Sequence, residues 1–331
     1  MLRGLPRTVR HRRYSVLPAA ISLTLVAFLA WKTGAGLHVV ADRLWAANWG
    51  IVGGTMVFSA AWHLGMGAHK WWRILRAQGA PVGYWEVLRV RAGADPIRFA
   101  APMQVGALVS SLYFGKMESL GFSRAAGSVL FDKALNLFGA ICWLYAGVMV
   151  AGWMPMTWGI GFHTCIGGAV LVLIGCRPAR RLILLRAGKL HAKVGRLAAG
   201  ILSVFEELSP SRKIGFLVYA IVFQVRPLVV CALLFVAFHG EGALLPSVRQ
   251  FLAFGSVVMV MSNVPSIGGV GPREATLIQV FTDFGDPQTL FSIGICLSFV
   301  LQVFPAMVGI PLMFPLLRAL TPSGAVEADS G

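Results

Sequence analysis

The feature that most constrains this chain is an apolar stretch, residues 261–284, that breaks in its middle. It runs through Asn263 and Pro265, then through Gly268-Gly269-Val270-Gly271-Pro272, and resumes as an apolar segment. Proline cannot continue a helix interior and glycine loosens the backbone, so the stretch cannot form one continuous helix. A broken helix at membrane depth leaves backbone groups unpaired, and such breaks persist only against protein or a wet cavity.

Two charged residues, Arg273 and Glu274, follow directly after the break. Charges inside a membrane are costly and usually functional, and broken helices there commonly form binding sites. The motif therefore predicts a substrate site; the alternative is a re-entrant loop that contributes only packing. The candidate residues of this motif are Asn263, Gly268, Gly269, Gly271, Arg273 and Glu274.

Composition indicates a membrane protein. Of 331 residues, 57% are hydrophobic and 13% are charged, whereas soluble domains carry about 25% charged residues. The charge is basic, with 29 Lys and Arg against 13 Asp and Glu. Because the basic residues fall between long apolar runs, membrane orientation and anionic lipid explain them better than nucleic-acid binding does. We therefore predict a multi-pass protein of the cell inner (plasma) membrane.

The apolar runs predict six full spans, each near the roughly 20 residues that a bilayer requires. They are residues 14–31, 49–68, 134–154, 158–176, 214–238 and 290–317, the last kinked at Pro305 and Pro311. Basic clusters predict that both termini and residues 177–213 lie in the cytoplasm. Within that loop, residues 182–208 are expected either to be solvated or to lie on anionic lipid.

Two further segments are predicted to form broken helical hairpins. Residues 85–114 break at Pro102 and Gly106, and residues 248–284 break at the motif. We expect the first hairpin to open inward and the second outward, unless the first lies along the interface as an amphipathic helix. Oppositely oriented broken elements in two halves indicate an inverted repeat, with the site near the midplane.

The expected fold class is an all-α, polytopic transmembrane helix bundle. We expect a single integral membrane domain over residues 1–331. Its parts are a first half (14–176), a basic cytoplasmic loop (177–213), a second half (214–318) and a flexible tail (319–331).

Charged residues elsewhere extend the candidate site. Arg226 lies near the middle of the span 214–238. An unpaired Arg at that depth costs about 3 kcal/mol or more, so we expect it to be paired or to face a cavity. Asp132 and Lys133 precede the third span and are expected either to form a local ion pair at the interface or to reach the central cavity. Arg226 and Asp132 therefore join the candidate substrate-binding residues.

The second predicted span contains His63, and Lys70, Trp71 and Trp72 follow it. We expect His63 to pack or to form an interhelical hydrogen bond rather than to bind a ligand. The basic and aromatic residues after the span suit a girdle at the cytoplasmic interface.

No cofactor or metal is predicted. The five cysteines form no C-x-x-C pair, and the histidines lack the spacing of a helical metal pair. The chain also has no phosphate-binding G-x-x-x-x-G-K-[ST] loop, so we expect no ATPase activity.

Residues 264–274 resemble the late motif of the lysylphosphatidylglycerol synthase transmembrane-region family, whose members are also described as flippase-like proteins. The shared pattern is Pro…Gly-Gly-x-Gly-x-Arg-Glu. Residues 72–75, Trp-Arg-Ile-Leu, and residues 102–136 are similar to earlier blocks of the family. Where relatives carry an acid after the glycine of the middle block and an Arg three residues on, this chain has Ala107 and Ser110. That departure weakens the expectation of a charge-based role for the first hairpin.

The resemblance implies transfer of a lipid, or a lipid-linked precursor, between leaflets, and related stand-alone members are associated with hopanoid or polyprenyl-glycan pathways. Because the sequence includes no soluble aminoacyl-transferase domain, we expect that it does not make the modified lipid itself. We expect a lipid translocase or lipid-binding transport protein rather than an enzyme. Its partners would be lipids with an anionic or phosphate-bearing head group and lipid-biosynthesis enzymes.

In this interpretation Arg273 and Arg226 bind the anionic head group, and Glu274 orients Arg273 or a cationic group. The helix that begins near Glu274 would offer its first amide N–H groups to the anion. One alternative is a membrane-embedded transferase with a polyprenyl-phosphate donor, which would use an acidic pair drawn from Asp95, Asp132 and Glu274. The other is a non-catalytic scaffold of a lipid-biosynthesis complex.

Overall fold

The computed structural model describes residues 24–34, 36–100, 105–117, 120–152, 199, 202–204, 206–239, 245–261 and 271–321. Within these ranges every regular element is helical. The protein is an all-α polytopic helix bundle, as predicted.

The first half contains seven helices in the described ranges. These are α1 (Thr24–Thr33), α2 (Leu37–Ala46), α3 (Trp49–Ala61), α4 (Gly67–Ala77), α5 (Tyr84–Ala100), α6 (Val105–Gly115) and α7 (Gly121–Ala151). Helices α1 and α2 meet at a bend of 81°. A π-turn, Trp62–Met66, joins α3 to α4 without a break in the helical path.

The second half contains six helices in the described ranges. Its helices are α8 (Pro210–Phe223), α9 (Val225–Phe238), α10 (Val248–Met261), α11 (Pro272–Val280), α12 (Pro287–Ser298) and α13 (Phe304–Leu320). A 3₁₀ turn, Thr282–Phe284, follows α11, and a π-turn, Phe299–Val303, joins α12 to α13. Pro305, which has no N–H, lies two residues after that π-turn and explains why the regular α-helical hydrogen bonding is interrupted there.

Three described helical segments are long and apolar enough to cross a membrane: Gly121–Ala151, Ser211–Phe238 and Pro287–Leu320. The α1–α2 pair is a fourth if its two arms form one span. These segments match the predicted spans 134–154, 214–238 and 290–317. The predicted span 49–68 is helical throughout, whereas 158–176 and most of the loop 177–213 lie outside the described residues.

Helix α7 differs from the prediction at its start. It begins at Gly121, so Asp132 and Lys133 lie within the helix rather than ahead of it. The expected local ion pair at the interface is wrong, because Asp132 pairs with Lys70 and Arg91 of other helices. Those partners permit a carboxylate in the bundle interior, where an unpaired one would be costly.

Helices α5 and α6 form the first hairpin. The start of α6 lies against α5, since a Cβ added at Gly106 would be 2.7 Å from the carbonyl oxygen of Ala94. At the other end, the Tyr113 hydroxyl donates to Glu86 at 3.4 Å. Helix α5 is buried between α6 and α13, so the alternative of an amphipathic helix lying on the interface is wrong.

Helices α10 and α11 form the second hairpin. The rings of Phe251 and Phe254 both pack on Phe281, with centroid separations of 5.8 and 5.4 Å. The break between the two helices, residues 262–270, lies outside the described residues. The hairpin prediction for this segment is confirmed by the paired helices on either side.

The hairpins pack reciprocally across the two halves. Helix α5 of the first half crosses α13 of the second at Gly93, where a Cβ would be 2.6 Å from the Leu312 carbonyl oxygen. At the same crossing, a Cβ at Gly309 would overlap the carbonyl oxygen of Ala92. Helix α10 of the second half crosses α7 of the first in the same way, at Gly147. This exchange fits the predicted inverted repeat.

Candidate functional site

Charged side chains meet in the bundle interior around Asp132 of α7. Lys70 Nζ of α4 lies 3.0 Å from Asp132 Oδ1, and Arg91 Nη1 of α5 lies 3.5 Å from Oδ2. Lys70 also donates to Asn136 Oδ1 and lies 4.6 Å from the centroid of the Phe223 ring. Lys70 is fully buried, so its placement in an interfacial girdle is wrong; it faces the carboxylate across the bundle instead.

A second group joins the π-turn of the first half to α5. His63 Nε2 lies 3.0 Å from Asp95 Oδ2 and 3.0 Å from Arg98 Nη2. Arg98 also pairs with Asp95 Oδ1. The expectation that His63 forms an interhelical hydrogen bond is confirmed. Each carboxylate oxygen of Asp95 and Asp132 thus lies within 3.5 Å of a side-chain nitrogen, an arrangement that holds cations in position.

A cleft opens beside these two groups, between α4, α5, α6 and α7. The space inside it that is open to water-sized molecules is about 30 Å³. Three cations and two carboxylates line it: Arg91, Arg98, Lys133, Asp95 and Asp132. The N-terminal turn of α6 forms another part of the wall through Gly106 and Ala107.

Arg226 of α9 lies between the two hairpins. It is buried, and its Nη1 donates to the carbonyl oxygen of Ser59 at 3.3 Å. It also interacts electrostatically with Asp95 and with Arg273. The prediction that this guanidinium is paired rather than directed at lipid is confirmed.

Arg273 and Glu274 are held in the second hairpin with 1% and 0% of their surface exposed. Arg273 Nη2 and Glu274 Oε1 both hydrogen-bond Ser298 Oγ, and Arg273 Nε lies 3.7 Å from Glu274 Oε1. Glu274 therefore orients Arg273, as expected, through Ser298.

The N-terminus of α11 is closed by its own side chain. Glu274 Oε2 accepts a hydrogen bond of 2.5 Å from Gly271 N, which is one half of a capping box, since glycine has no side chain to form the other half. Pro272 occupies the first helical position and has no N–H to offer. We expected this helix start to offer its amides to a substrate anion. Instead, the Gly271 amide already binds the carboxylate of Glu274.

Gly271 has a backbone conformation that favours glycine. Its φ is +102°, a region that other residues rarely adopt, and an added Cβ would lie 3.0 Å from Leu25 Cδ2. The glycine at this position is therefore required by the turn into α11. The other backbone candidates of the motif, Asn263, Gly268 and Gly269, lie outside the described residues.

Comparison with known families gives one result. The model of the lysylphosphatidylglycerol synthase TM region matches residues 15–309, which include both hairpins and the cleft. The chain belongs to the lysylphosphatidylglycerol synthase transmembrane-region family. No curated relative and no solved structure matches it. Membership in this family makes the chain a membrane protein linked to lipid modification.

The fold of this family member separates the predicted site residues into two groups. Asp132 lines the cleft, whereas Arg226, Arg273, Glu274 and Gly271 are buried outside it. The described residues of the motif, 271–274, are therefore buried, and a cleft lies at the first hairpin.

Sequence reasoning missed the cationic side of the cleft in this lysylphosphatidylglycerol synthase transmembrane region. Arg91, Asp95 and Arg98 recur at i, i+4 and i+7, which places them on one face of α5. That spacing alone could have predicted a polar face on this helix. Their partners on α4 and α7 come from distant parts of the chain and leave no such signal.

Proposed function

We propose that this protein moves a lipid, or a lipid-linked precursor, with an anionic head group between membrane leaflets. The observation that carries the proposal is a set of buried guanidinium groups with unused donors. Arg91 Nε, Arg226 Nε, Arg273 Nε and Arg273 Nη1 have no hydrogen-bond partner within the described residues. Buried donors left unpaired are costly, and an anion offering several acceptor oxygens would satisfy them.

The charge balance of the interior supports the same proposal, because cations outnumber carboxylates there. The cations are Lys70, Arg91, Arg98, Lys133, Arg226 and Arg273, and the carboxylates are Asp95, Asp132 and Glu274. Surplus positive charge in a poorly solvated interior favours a bound anion. In a membrane the phosphate of a lipid head group supplies one.

We assign the site residues roles on this basis. Asp132 positions Lys70 and Arg91, and Arg226 receives the head group between the hairpins. Arg273, oriented by Glu274, contacts it when the second hairpin opens. Gly271 lets the backbone turn into α11, and Asn263, Gly268 and Gly269 stay predicted members of the site. Enzymes of lipid biosynthesis would supply or receive the lipid.

Reconstitution tests the proposal. The protein is placed in vesicles that contain fluorescent phosphatidylglycerol, phosphatidylcholine or a polyprenyl phosphate, and a membrane-impermeant quencher reports the outer-leaflet fraction. We expect faster exchange of an anionic probe than in protein-free vesicles. Exchange rates equal to those of protein-free vesicles for every probe would reject translocation and favour the scaffold.

Arg226 offers a matched pair of variants in the same assay. Arg226→Gln removes the charge but keeps a donor for the Ser59 carbonyl, whereas Arg226→Lys keeps the charge. We expect Arg226→Gln to slow anionic-lipid exchange about tenfold or more, the loss of one charge-assisted contact. Arg226→Lys should retain most of the rate. Equal rates for the two variants, at equal amounts of folded protein, would exclude a charge-based role.

We further propose an orientation in the inner membrane, with both termini and residues 177–213 in the cytoplasm. The basic clusters at these places support it. A single cysteine at position 193, in a background without the native cysteines, should resist an impermeant thiol reagent in intact cells. It should react once the cells are permeabilised. Labelling from outside intact cells would overturn the topology.

A further inference from the structure

The cleft at the first hairpin contains a lysine whose side chain has no direct partner in the described residues. Lys133 of α7 lines the cleft, and within the described part of the chain its ammonium forms no hydrogen bond or ion pair. The nearest carboxylates are occupied: Asp132 holds Lys70 and Arg91, while Asp95 holds Arg98 and His63. An anion bound in the cleft would therefore give the Lys133 side chain a partner.

The other groups in the cleft also favour an anion with several oxygens. Arg91 lines the cleft and is more than nine-tenths buried, and its Nε, which lies against Gly67 of α4, has no hydrogen-bond partner in the described residues. Arg98 is partly exposed at the cleft, and its planar guanidinium suits phosphate geometry. The first turn of α6, at Gly106 and Ala107, adds a helix N-terminus that favours negative charge.

We propose that this cleft binds the phosphate group of a lipid head group, with Arg91, Arg98 and Lys133 as its ligands. The inference rests on the proposed function, which it deepens by naming the group recognised and the place of recognition. It assigns the first contact to the first hairpin rather than to the Arg273 motif.

The surroundings of the cleft favour a lipid over free phosphate. Leu108 and Leu112 of α6 and Leu130 and Leu137 of α7 are exposed, at 49%, 43%, 50% and 50% of their surface. Two of the four helices around the cleft, α6 and α7, thus present apolar side chains outward, where acyl chains would lie. The phosphate chemistry is shared by both sources, so the experiment includes both.

Two substitutions test the site with little loss of existing structure. Lys133→Gln removes the cation that has no partner. Ala107→Asp adds a carboxylate to the wall, and Ala107→Asn is its neutral control of similar size. Lys32→Gln repeats the first substitution at an exposed position away from the cleft.

The measurement is the ligand-dependent shift in thermal unfolding of the full chain in detergent, converted to Kd. The probes are dihexanoyl phosphatidylglycerol, inorganic phosphate and dihexanoylglycerol, which has no phosphate. We expect Lys133→Gln and Ala107→Asp each to raise the phosphatidylglycerol Kd about tenfold. Ala107→Asn and Lys32→Gln should stay within about threefold of the wild-type protein. Dihexanoylglycerol should give no saturable shift.

The outcomes separate this inference from the translocase proposal. Unchanged phosphatidylglycerol binding by both Lys133→Gln and Ala107→Asp would overturn the site, even if the wild-type protein exchanges lipid. Equally tight binding of inorganic phosphate would overturn the assignment to a lipid. Cleft-dependent lipid binding by a wild-type protein that moves no lipid would uphold the site and reject translocation.

Discussion

Replacing Arg273 with alanine is expected to lower the free energy of unfolding by about 3–5 kcal/mol, the cost of leaving a buried charge unpaired. Glu274, with 0% exposure, would lose its cation and keep only Ser298 and the Gly271 amide. The burial of both residues makes them structural as well as candidate contacts for a substrate. Thermal unfolding in detergent and the yield of monodisperse protein measure the loss.

The double variant Arg273→Met with Glu274→Gln provides the control. It removes both charges at similar volume, and replacing a buried ion pair in this way is often close to neutral. We expect it to unfold at a higher temperature than Arg273→Ala. A double variant as unstable as the single one would show that hydrogen bonding or shape, rather than charge pairing, dominates at this position.

Gly309→Val should prevent the two halves from packing and lower stability by more than about 3 kcal/mol. A Cβ at Gly309 would overlap the carbonyl oxygen of Ala92, and backbone cannot move aside as a side chain can. Since Gly309 of α13 and Ala92 of α5 belong to different halves, relief requires the helices to separate. Size-exclusion chromatography of the detergent extract, followed by thermal unfolding, measures the effect.

Gly54→Val is the matched control for that substitution. Gly54 is also helical, but nothing lies within 4 Å of an added Cβ. We expect its effect on the free energy of unfolding to stay below about 1 kcal/mol. Similar unfolding temperatures for Gly54→Val and Gly309→Val would contradict the close crossing of α5 and α13.

The hairpins were predictable from sequence because proline and glycine act locally. Gly271 shows this: its φ of +102° is a property of one residue and its turn. The start of α7 and the burial of Lys70 were not predictable. Hydropathy counts Asp132 and Lys70 as ends of spans, whereas in the fold they neutralise each other across two helices.

The candidate site likewise has a part that the sequence predicts and a part that it does not. The cost of a mid-membrane guanidinium identified Arg226, and its partner proved to be the Ser59 carbonyl. The cleft depends on which face of α5 meets α6 and α7, a long-range fact that one sequence does not carry. The described residues of the most specific motif are therefore buried, whereas the residues that line the cleft had the weaker sequence signal.

Reciprocal packing of the hairpins has a consequence for biosynthesis. Helix α5 leaves the ribosome long before α13, against which its small residues close, and the crossing of Gly93 with Leu312 cannot form until then. Until α13 is synthesised, the polar face of α5 can pack only against α4, α6 and α7, and the side that later contacts α13 is uncovered. Membrane insertion of α5 and its packing against α13 are thus separate events in time, and a partly assembled bundle must persist between them.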